Sequence, residues 1–273
     1  MKKLAGVFST KKKNGELYYR SSITYRKKHI SLGSFSKERE AHEAYLEADR
    51  ILKNPQLSID HYQPHSLSFE KAVILFNFRD NDMYIGTPIY IRNRFFQYYF
   101  SKDLVLTFDI DDLFYYSSHK IMKRGGHFFV ADYGMQVNIL NRYGIKNFGV
   151  KNRDYVFKNG DDTDFRYENI QIINRYHGVL QIKKNGKTFY KVKIHIKGDY
   201  TVGYYPDEIT AAIAYNKAAD VFRQKGYVKN FPVNFIENLL PSQYADIYSQ
   251  VQISHTITAY HNSQKKCSDL PLP

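Results

Sequence analysis

The sequence predicts an α+β protein in which two small modules, each a three-stranded antiparallel sheet backed by one helix, flank a further α+β segment. Three observations support this fold class. An internal repeat keeps its register across three strand patterns and a helix pattern. Each copy carries an Asn-Gly dipeptide between its first two strand patterns, which favours a tight hairpin. Each copy then continues into a stripe of alanines at helical spacing.

The repeat relates the N-terminal residues to a stretch that begins near residue 176. Both copies carry a Gly-Val pair, an Asn-Gly turn and an Ala-x-x-Ala-Tyr helix. The offset between the copies falls from 172 to 171 and then to 170 residues at the pairs Gly6/Gly178, Ile23/Ile194 and Tyr45/Tyr215. These one-residue changes fall in predicted turns, where insertions are tolerated. Chance similarity would not keep register over such a length, so the sequence predicts two copies of one structural unit.

The first copy, residues 1–53, is expected to form three strands and one helix. The strands are predicted near Gly6–Thr10, Tyr18–Tyr25 and His29–Gly33, and the helix over Lys37–Leu52 with Ser36 as its N-cap. Two turns are expected, at Asn14-Gly15 and at the basic Arg26-Lys27-Lys28. The helix stripe that should pack on the sheet consists of Ala41, Ala44, Tyr45, Ala48 and Leu52.

The second strand of this copy divides its side chains between two faces. Alternation places Tyr19, Ser21 and Ile23 against the helix. The opposite face, which carries Arg20, Ser22 and Thr24, is then free to contact a partner, and Arg26 and His29 should make it basic. A short β-sheet can read bases from the major groove of DNA.

The second copy, residues 175–232, follows the same pattern. Tyr190, Val192 and Ile194 should face the helix, and Lys191, Lys193 and His195 should point outward. Pro206 is predicted in the first turn of the helix, where its missing N–H costs nothing. The helix stripe consists of Ala211, Ala214, Tyr215, Ala218 and Phe222, and Phe231 of the closing Asn230-Phe231-Pro232 is expected to tuck under the sheet.

The charge of the chain is concentrated in the two copies. Residues 1–53 carry 13 lysines and arginines against 6 acids, residues 175–230 carry 11 against 4, and residues 54–174 carry 14 of each. Both copies therefore have a net charge of +7 and the middle is neutral. This distribution suggests two contact surfaces for a polyanion, and ordinary solvated lysines remain the open alternative from charge alone.

The second copy resembles the APETALA-2 / ethylene-response-factor DNA-binding domain, and the first copy resembles it less closely. The resemblance lies in Tyr-x-Gly-Val, Asn-Gly-Lys, a strand ending in Gly-x-Tyr, the Ala-x-x-Ala-Tyr helix and Asn-Phe-Pro. It implies a sheet in the major groove of double-stranded DNA. The implied contact residues are Arg20, Ser22, Thr24, Arg26, His29, Ser31, Lys184, Lys191, Lys193, His195 and Thr201. Leu180 and Ile182 stand where the plant proteins carry arginine.

The middle segment, residues 54–174, resembles the core of phage and intron HNH endonucleases, which would give it a ββα-like α+β fold. The resemblance lies in the order and spacing over about 105–232, with Asn159, Gly160, Asp161, Asp164, Arg166 and Asn169 at the structural positions. Asn159–Asp164 could instead be an ordinary polar turn. Ala72–Phe78 is predicted as an apolar strand or helix, and His127–Ala131 as a strand.

The catalytic positions implied by the HNH resemblance carry other residues here. Val156 stands at the metal-binding aspartate, Phe157 at the general-base histidine, Phe165 at an asparagine and Asn141 at a further histidine. Valine and phenylalanine can neither bind a metal nor accept a proton. We therefore expect a degenerate nuclease core with no metal, no cofactor and no catalytic activity, in which Phe157 and Phe165 fill the vacated site.

Two other arrangements could supply chemistry to this segment. Asp109, Asp111 and Asp112 could form a metal cluster, but a solvated loop or helix start is the favoured explanation. His119 or His127 could replace the missing base, but no acid–histidine pair at ligand spacing accompanies either one in the sequence.

The last segment, residues 233–273, is expected to form one helix over Val233–Ile247 and to be disordered or loosely packed beyond Tyr248. The single cysteine, Cys267, fits a reducing compartment. The longest apolar run, Ala72–Phe78, is too short to cross a bilayer. These features predict a protein of the cytoplasm of a bacterial or phage-infected cell.

The sequence thus predicts a sequence-selective double-stranded DNA-binding protein that regulates transcription or a mobile genetic element without cutting DNA. Two alternatives stay open. One is a divergent HNH homing or nicking endonuclease with other metal ligands. The other is an inhibitor derived from such a nuclease, whose basic sheets bind an acidic protein. The sequence leaves the oligomeric state unknown.

Overall fold

A computed structural model describes residues 4–260. The chain divides into two compact units, the first made of the described residues up to 139 together with 157–170, and the second of residues 140–156 together with 171 onward. Within residues 4–260, the helices are accompanied by five small sheets, four of which are three-stranded and antiparallel. The predicted α+β class with small sheet modules is confirmed. The finer four-part division of the chain stays a prediction.

The first module folds as a meander covered by one helix. Its elements are β1 (Val7–Lys11), β2 (Leu17–Tyr25), β3 (Lys28–Phe35) and α1 (Glu38–Lys53), with strand order β1-β2-β3. Arg26 and Lys27 form a two-residue hairpin turn with φ of 43° and 65°, which matches the twist of the flanking strands. The N-cap is Lys37 and not Ser36, because the Ser36 hydroxyl donates to the Glu40 carboxylate at 3.3 Å instead.

The alanine stripe of α1 packs as predicted. Ala41, Ala44 and Ala48 are fully buried, which brings the helix close to the sheet. Gly6 has φ of +75°, and a Cβ at this position would lie 2.1 Å from Cδ2 of Tyr45. The close approach of the Tyr45 ring therefore requires a glycine at the first position of the Gly-Val pair.

The rest of the first unit consists of short helices and two further meanders. The elements are α2 (Phe69–Asn81), β4 (Ile89–Ile91), β5 (Phe95–Tyr99), β6 (Val105–Asp109), α3 (Leu113–Ser118), β7 (Ile121–Arg124), β8 (His127–Asp132) and β9 (Met135–Asn138), with 3-10 turns at Ile59–His61 and Ile110–Asp112. A further 3-10 turn, Ile139–Tyr143, begins at residue 139 and continues into the second unit. The apolar run Ala72–Phe78 is the middle of helix α2 and is buried throughout. The buried Asn77 amide donates to the Met83 carbonyl at 2.8 Å and accepts from the Ile91 N–H at 2.9 Å, which satisfies the polar group in this run.

The segment for which the sequence predicts a ββα-like core contains two short strands, β10 (Tyr155–Phe157) and β11 (Ile170–Ile172), which form a two-stranded sheet. The loop between them holds the Asn-Gly-Asp sequence. No helix lies between Ile172 and Val179 in this described stretch. Of a ββα arrangement, the two strands are thus present and the following helix is not.

The second module repeats the first. Its elements are β12 (Val179–Lys184), β13 (Lys187–His195), β14 (Asp199–Tyr205) and α4 (Glu208–Gln224), with strand order β12-β13-β14. A Cβ on Gly178 would lie 2.5 Å from both the Lys193 carbonyl and the Tyr215 ring. The register shifts between Val192 and Lys193, which are the equivalents of Ser21 and Ser22, where the first module also shifts. The same bulge and the same Gly–Tyr contact support the predicted duplication.

Two local expectations for the second module differ from the structure. Asp207 is the N-cap of α4, because its carboxylate accepts from the Thr210 N–H at 2.7 Å. Pro206 therefore precedes the helix and does not form its first turn. Phe231 is buried as predicted, and its ring stacks with that of Phe222 on α4 at 6.1 Å.

The segment after the second module is more structured than the sequence predicts. It contains α5 (Pro241–Gln250) and α6 (His255–Thr258), so the helix expected from Val233 begins eight residues later. Val251 and Ile257 belong to the core of the second module, so the expectation of loose packing beyond Tyr248 is wrong for residues up to 260. Cys267 and the final Leu-Pro-Leu-Pro lie outside the described residues. In residues 4–260, no helix is both long enough and apolar enough to span a membrane.

Candidate nucleic-acid interface

The outward side of the second module's sheet is the most basic of the predicted contact surfaces. Residues paired across antiparallel strands share a face, and Leu180, Lys191 and Tyr204 form one such row. Val192 and Ile194 point the other way and are buried beneath α4. The outward side, called here the β12–β14 face, consists of Leu180, Ile182, Lys184, Lys187, Phe189, Lys191, Lys193, His195, Asp199, Thr201 and Tyr204.

Four lysines surround an apolar and aromatic centre on this face. Lys184 and Lys187 pair at one end of the sheet, beside the Asn185-Gly186 turn. Lys191 places its Nζ 5.5 Å from the centre of the Tyr204 ring, and that ring is 57% exposed. Such a surface combines cations that can neutralise phosphates with an aromatic ring that can pack on a sugar or base.

One carboxylate interrupts the cations of the β12–β14 face. Asp199 accepts a hydrogen bond from Nδ1 of His195 at 2.8 Å, and Nζ of Lys193 lies 3.7 Å from its other oxygen. The hydrogen bond from His195, supported by the charge of Lys193, lowers the pKa of the Asp199 carboxyl. Asp199 therefore stays ionised at neutral pH and fixes the position of two predicted contact residues, His195 and Lys193.

The corresponding face of the first module is far less charged. Arg20 is its main cation, and its guanidinium donates to the Tyr18 hydroxyl at 2.9 Å. Thr24, His29 and Ser31 are exposed as predicted. Ser22 is only 9% exposed, so its predicted role as a contact residue is not supported by its accessibility. It lies at the β-bulge, where Ser21, Ser22 and Ile23 are buried in succession and the simple alternation of the strand breaks.

Arg26, predicted as part of the basic face, is used inside the first unit. Its guanidinium forms an ion pair with Asp82 and donates to the Phe78 carbonyl at 3.3 Å. Both partners belong to the end of α2, so Arg26 ties the hairpin turn to that helix. The hairpin turn at Lys27 keeps its exposed position, but Arg26 is not available as a free cation.

The four positions that would be catalytic in an HNH nuclease lie in different surroundings. Phe157 and Phe165 are buried and lie edge to face at 5.6 Å between ring centres, and Phe165 also stacks on Phe108 at 5.4 Å. The two rings therefore belong to a buried aromatic cluster of the first unit, and their relation to a nuclease site stays a prediction. Asn141 and Val156 belong to the second unit, where Asn141 is exposed and Val156 is half-buried.

The polar residues of the β10–β11 loop bind one another. Asp164 accepts from the Arg166 guanidinium at 2.7 Å and from the Asn159 amide at 2.9 Å, while the Asn169 amide donates to the Asp164 carbonyl at 2.8 Å. Burial by itself favours the neutral acid, but the hydrogen bonds from Arg166 and Asn159 outweigh it and lower the pKa of Asp164. These residues stabilise the loop, which is the structural role that the resemblance implies.

Sequence reasoning missed one acid–histidine pair. Nε2 of His119 lies 3.6 Å from the Asp132 carboxylate, and the Tyr115 hydroxyl donates to the same carboxylate at 3.2 Å. The pair joins the end of α3 to the end of β8, and the sequence spacing of 13 residues gives no sign of it. Within residues 4–260, no group of three or more histidine, cysteine, aspartate or glutamate side chains is placed to hold a metal ion.

Comparisons of the chain with protein-family models, with curated proteins and with solved structures give no match.

Proposed function

We propose that this protein binds double-stranded DNA sequence-selectively through its two β-sheet modules, and that it regulates transcription or a mobile genetic element without cutting DNA. The observation that carries the proposal is the β12–β14 face. Its four lysines lie on one side of a sheet whose other side is covered by α4, and one of them, Lys191, lies beside the exposed Tyr204 ring. The major groove of B-DNA admits a two-stranded β-ribbon, which is the width of one hairpin of this sheet.

The absence of cutting is supported by what occupies the nuclease-like positions. Phe157 and Phe165 fill a buried space with aromatic rings, and neither side chain can activate water. Asp164, a carboxylate of the same loop, is held by Arg166 and Asn159. A metal ion would have to displace these partners from Asp164 before it could bind there.

The proposal is tested by fluorescence anisotropy of duplex DNA at a series of salt concentrations. Binding that neutralises phosphates gives a slope of log Kobs against log salt of about −0.9 per phosphate. The double variant Lys191→Ala/Lys193→Ala should bind more weakly, with a slope shallower by up to about 1.8. The matched control is Lys37→Ala/Arg39→Ala, which removes the same charge from α1, where both cations pair with glutamates.

Three results would overturn parts of the proposal. A wild-type slope near zero would exclude phosphate-driven binding altogether. Equal losses in the two double variants would mean that the β12–β14 face is not the contact surface. Nicking of plasmid DNA by the wild-type protein with Mg²⁺ or Mn²⁺ would show that the protein is an endonuclease. Selection of bound duplexes from a random pool tests selectivity, and one enriched motif is expected.

A further inference from the structure

We propose that the β7–β9 sheet of the first unit is a third DNA-contacting surface and that it reads base edges; this inference rests on the proposed function. The sheet lies in the neutral middle of the sequence, so charge counting gives no sign of it. One of its faces is packed in the unit, with Ile121 and Val130 each 1% exposed. Phe128 on the same face packs against Phe100 and Phe165, with ring centres at 5.4 and 6.2 Å.

The other side of this sheet, called here the β7–β9 face, carries side chains suited to DNA. The register places Met122 opposite Phe129, Arg124 opposite His127, and Ala131 opposite Gln136. Arg124, His127, Ala131 and Gln136 are exposed, whereas Met122, Phe129 and Asn138 are half-buried. Because strand alternation puts Asp132 on the packed side, the β7–β9 face contains no acidic residue.

The hairpin that joins β7 to β8 resembles the basic hairpins of the two modules. Its turn is Gly125-Gly126, with φ of 55° and 81°, and it follows Lys123 and Arg124 directly. The first hairpin of the first module likewise follows Lys11–Lys13, and that of the second module follows Lys183-Lys184. Three sheets thus present two or more cations beside a tight, glycine-containing turn.

In a fourth hairpin, by contrast, the arginine beside the turn is bound by other residues of the protein. Arg92, at the turn between β4 and β5, donates to the Asp60 carboxylate at 2.6 Å and to the Gln97 amide oxygen at 2.8 Å. Within residues 4–260, no acidic side chain lies within ion-pair distance of Lys123 or Arg124. Lys123 instead lies 5.5 Å from the centre of the Phe128 ring. The β7–β8 cations are therefore available to an external anion.

The composition of the face favours duplex DNA over an acidic protein. Arginine pairs with O6 and N7 of guanine, and glutamine with N6 and N7 of adenine. Arg124 and Gln136 are both exposed on the β7–β9 face, at different ends of it, because Arg124 pairs with His127 and Gln136 pairs with Ala131, four residues further along β8, so each would meet a base of its own. Lys123 pairs with Phe128 and lies on the other side of the sheet, beside the turn, where it can contact a phosphate. The face would add specificity to the affinity supplied by the β12–β14 face.

The test compares full-length variants in the same anisotropy titration and duplex selection. Lys123→Ala/Arg124→Ala should make the salt slope shallower by about 0.9 to 1.8, whereas Lys37→Ala/Arg39→Ala should leave it unchanged. Gln136→Ala should keep the wild-type slope but lose preference at one position of the selected motif. Both sites are exposed, and circular dichroism spectra matching the wild type confirm that the variants are folded.

The two proposals fail differently. If the wild-type protein does not bind duplex DNA, both are wrong. If binding depends on Lys191 and Lys193 but neither Lys123→Ala/Arg124→Ala nor Gln136→Ala changes slope or motif, the proposed function stands and the third surface is refuted. A change in slope without a change in motif would establish phosphate contact and refute base reading.

Discussion

Glu47 on helix α1 should be a major stabilising residue of the first unit, and Glu47→Gln tests this expectation. Its carboxylate receives four hydrogen bonds. Oε1 accepts from the Tyr62 hydroxyl and the His65 N–H, both at 2.8 Å. Oε2 accepts from the Ser66 N–H at 2.7 Å and the Leu67 N–H at 2.9 Å. The glutamate therefore holds the chain segment that leads into α2.

The size of the effect follows from the number of acceptors. The variant keeps one carbonyl oxygen and presents an NH₂ group, itself a donor, to two of the four donors. Hydrogen bonds to charged groups contribute about 1.5–3 kcal/mol each, and water at this half-exposed site replaces part of the loss. We expect Glu47→Gln to cost about 2 kcal/mol, which corresponds to about 30-fold faster opening of the segment. Hydrogen exchange of amides 65–67, followed by mass spectrometry at neutral pH, measures this change.

The matched control is Glu43→Gln, one turn earlier on the same helix. Glu43 accepts only from the exposed Arg39 at 3.0 Å, and a surface pair of this kind contributes at most about 1 kcal/mol. The control should leave exchange of amides 65–67 unchanged. Equal exchange rates in wild type and Glu47→Gln would refute the reasoning.

The loss of stability caused by Glu47→Gln should also depend on pH. Burial favours the neutral form of Glu47, but the hydrogen bonds from Ser66, His65, Leu67 and Tyr62 outweigh it and lower its pKa. Because the pKa of Glu47 is lower in the folded than in the unfolded protein, the ionised carboxylate stabilises the fold fully at a pH above the unfolded pKa of about 4.3. This stabilisation is lost as the pH falls through the folded pKa. The difference in unfolding free energy between wild type and Glu47→Gln should therefore narrow below about pH 4 in guanidinium titrations. An undiminished difference at lower pH would show that the charge is not the cause.

Two further substitutions address the sheets. The Ser21 hydroxyl is fully buried without a hydrogen-bond partner, and the equivalent residue in the second module is Val192, so Ser21→Ala should raise the unfolding free energy by about 1 kcal/mol. A lower midpoint of guanidinium unfolding would contradict this. Asp199 is the only carboxylate on the β12–β14 face, so Asp199→Asn should tighten DNA binding several-fold at low salt by removing repulsion from phosphates. Weaker binding would show instead that Asp199 accepts from a base or is needed to orient His195.

The module fold could be predicted from the sequence because its constraints are local. Turn dipeptides, alternation and an alanine stripe each act over a few residues, and the repeat showed that they recur together. The contact surface was harder to predict. A β-bulge leaves no sequence pattern, so the burial of Ser22 could not be foreseen, and the partner of Arg26 is Asp82, 56 residues away.

In the C-terminal segment, a proline marks the true start of the helix, but the apolar residues before it suggested an earlier start. A helix from Val233 would place Phe235 and Leu240 on its apolar side, yet both are exposed. The helix begins at Pro241, and proline is favoured in a first helical turn. Burial of Val251 and Ile257 depends on the core of the second module, and no local pattern predicts such a contact.

The two copies have the same net charge, but their charged side chains make different contacts. Glu47 and Lys217 occupy equivalent helix positions with opposite charge, because the segment after α1 offers N–H groups while the segment after α4 offers carbonyls. Nζ of Lys217 donates to the carbonyls of Tyr248 and Val251, both at 2.8 Å. Arg26 likewise serves the fold of its own unit. Under the proposed function, a net charge of +7 in each copy therefore does not mean equal affinity for DNA. The second module, whose lysines remain on its sheet face, should supply most of the binding energy.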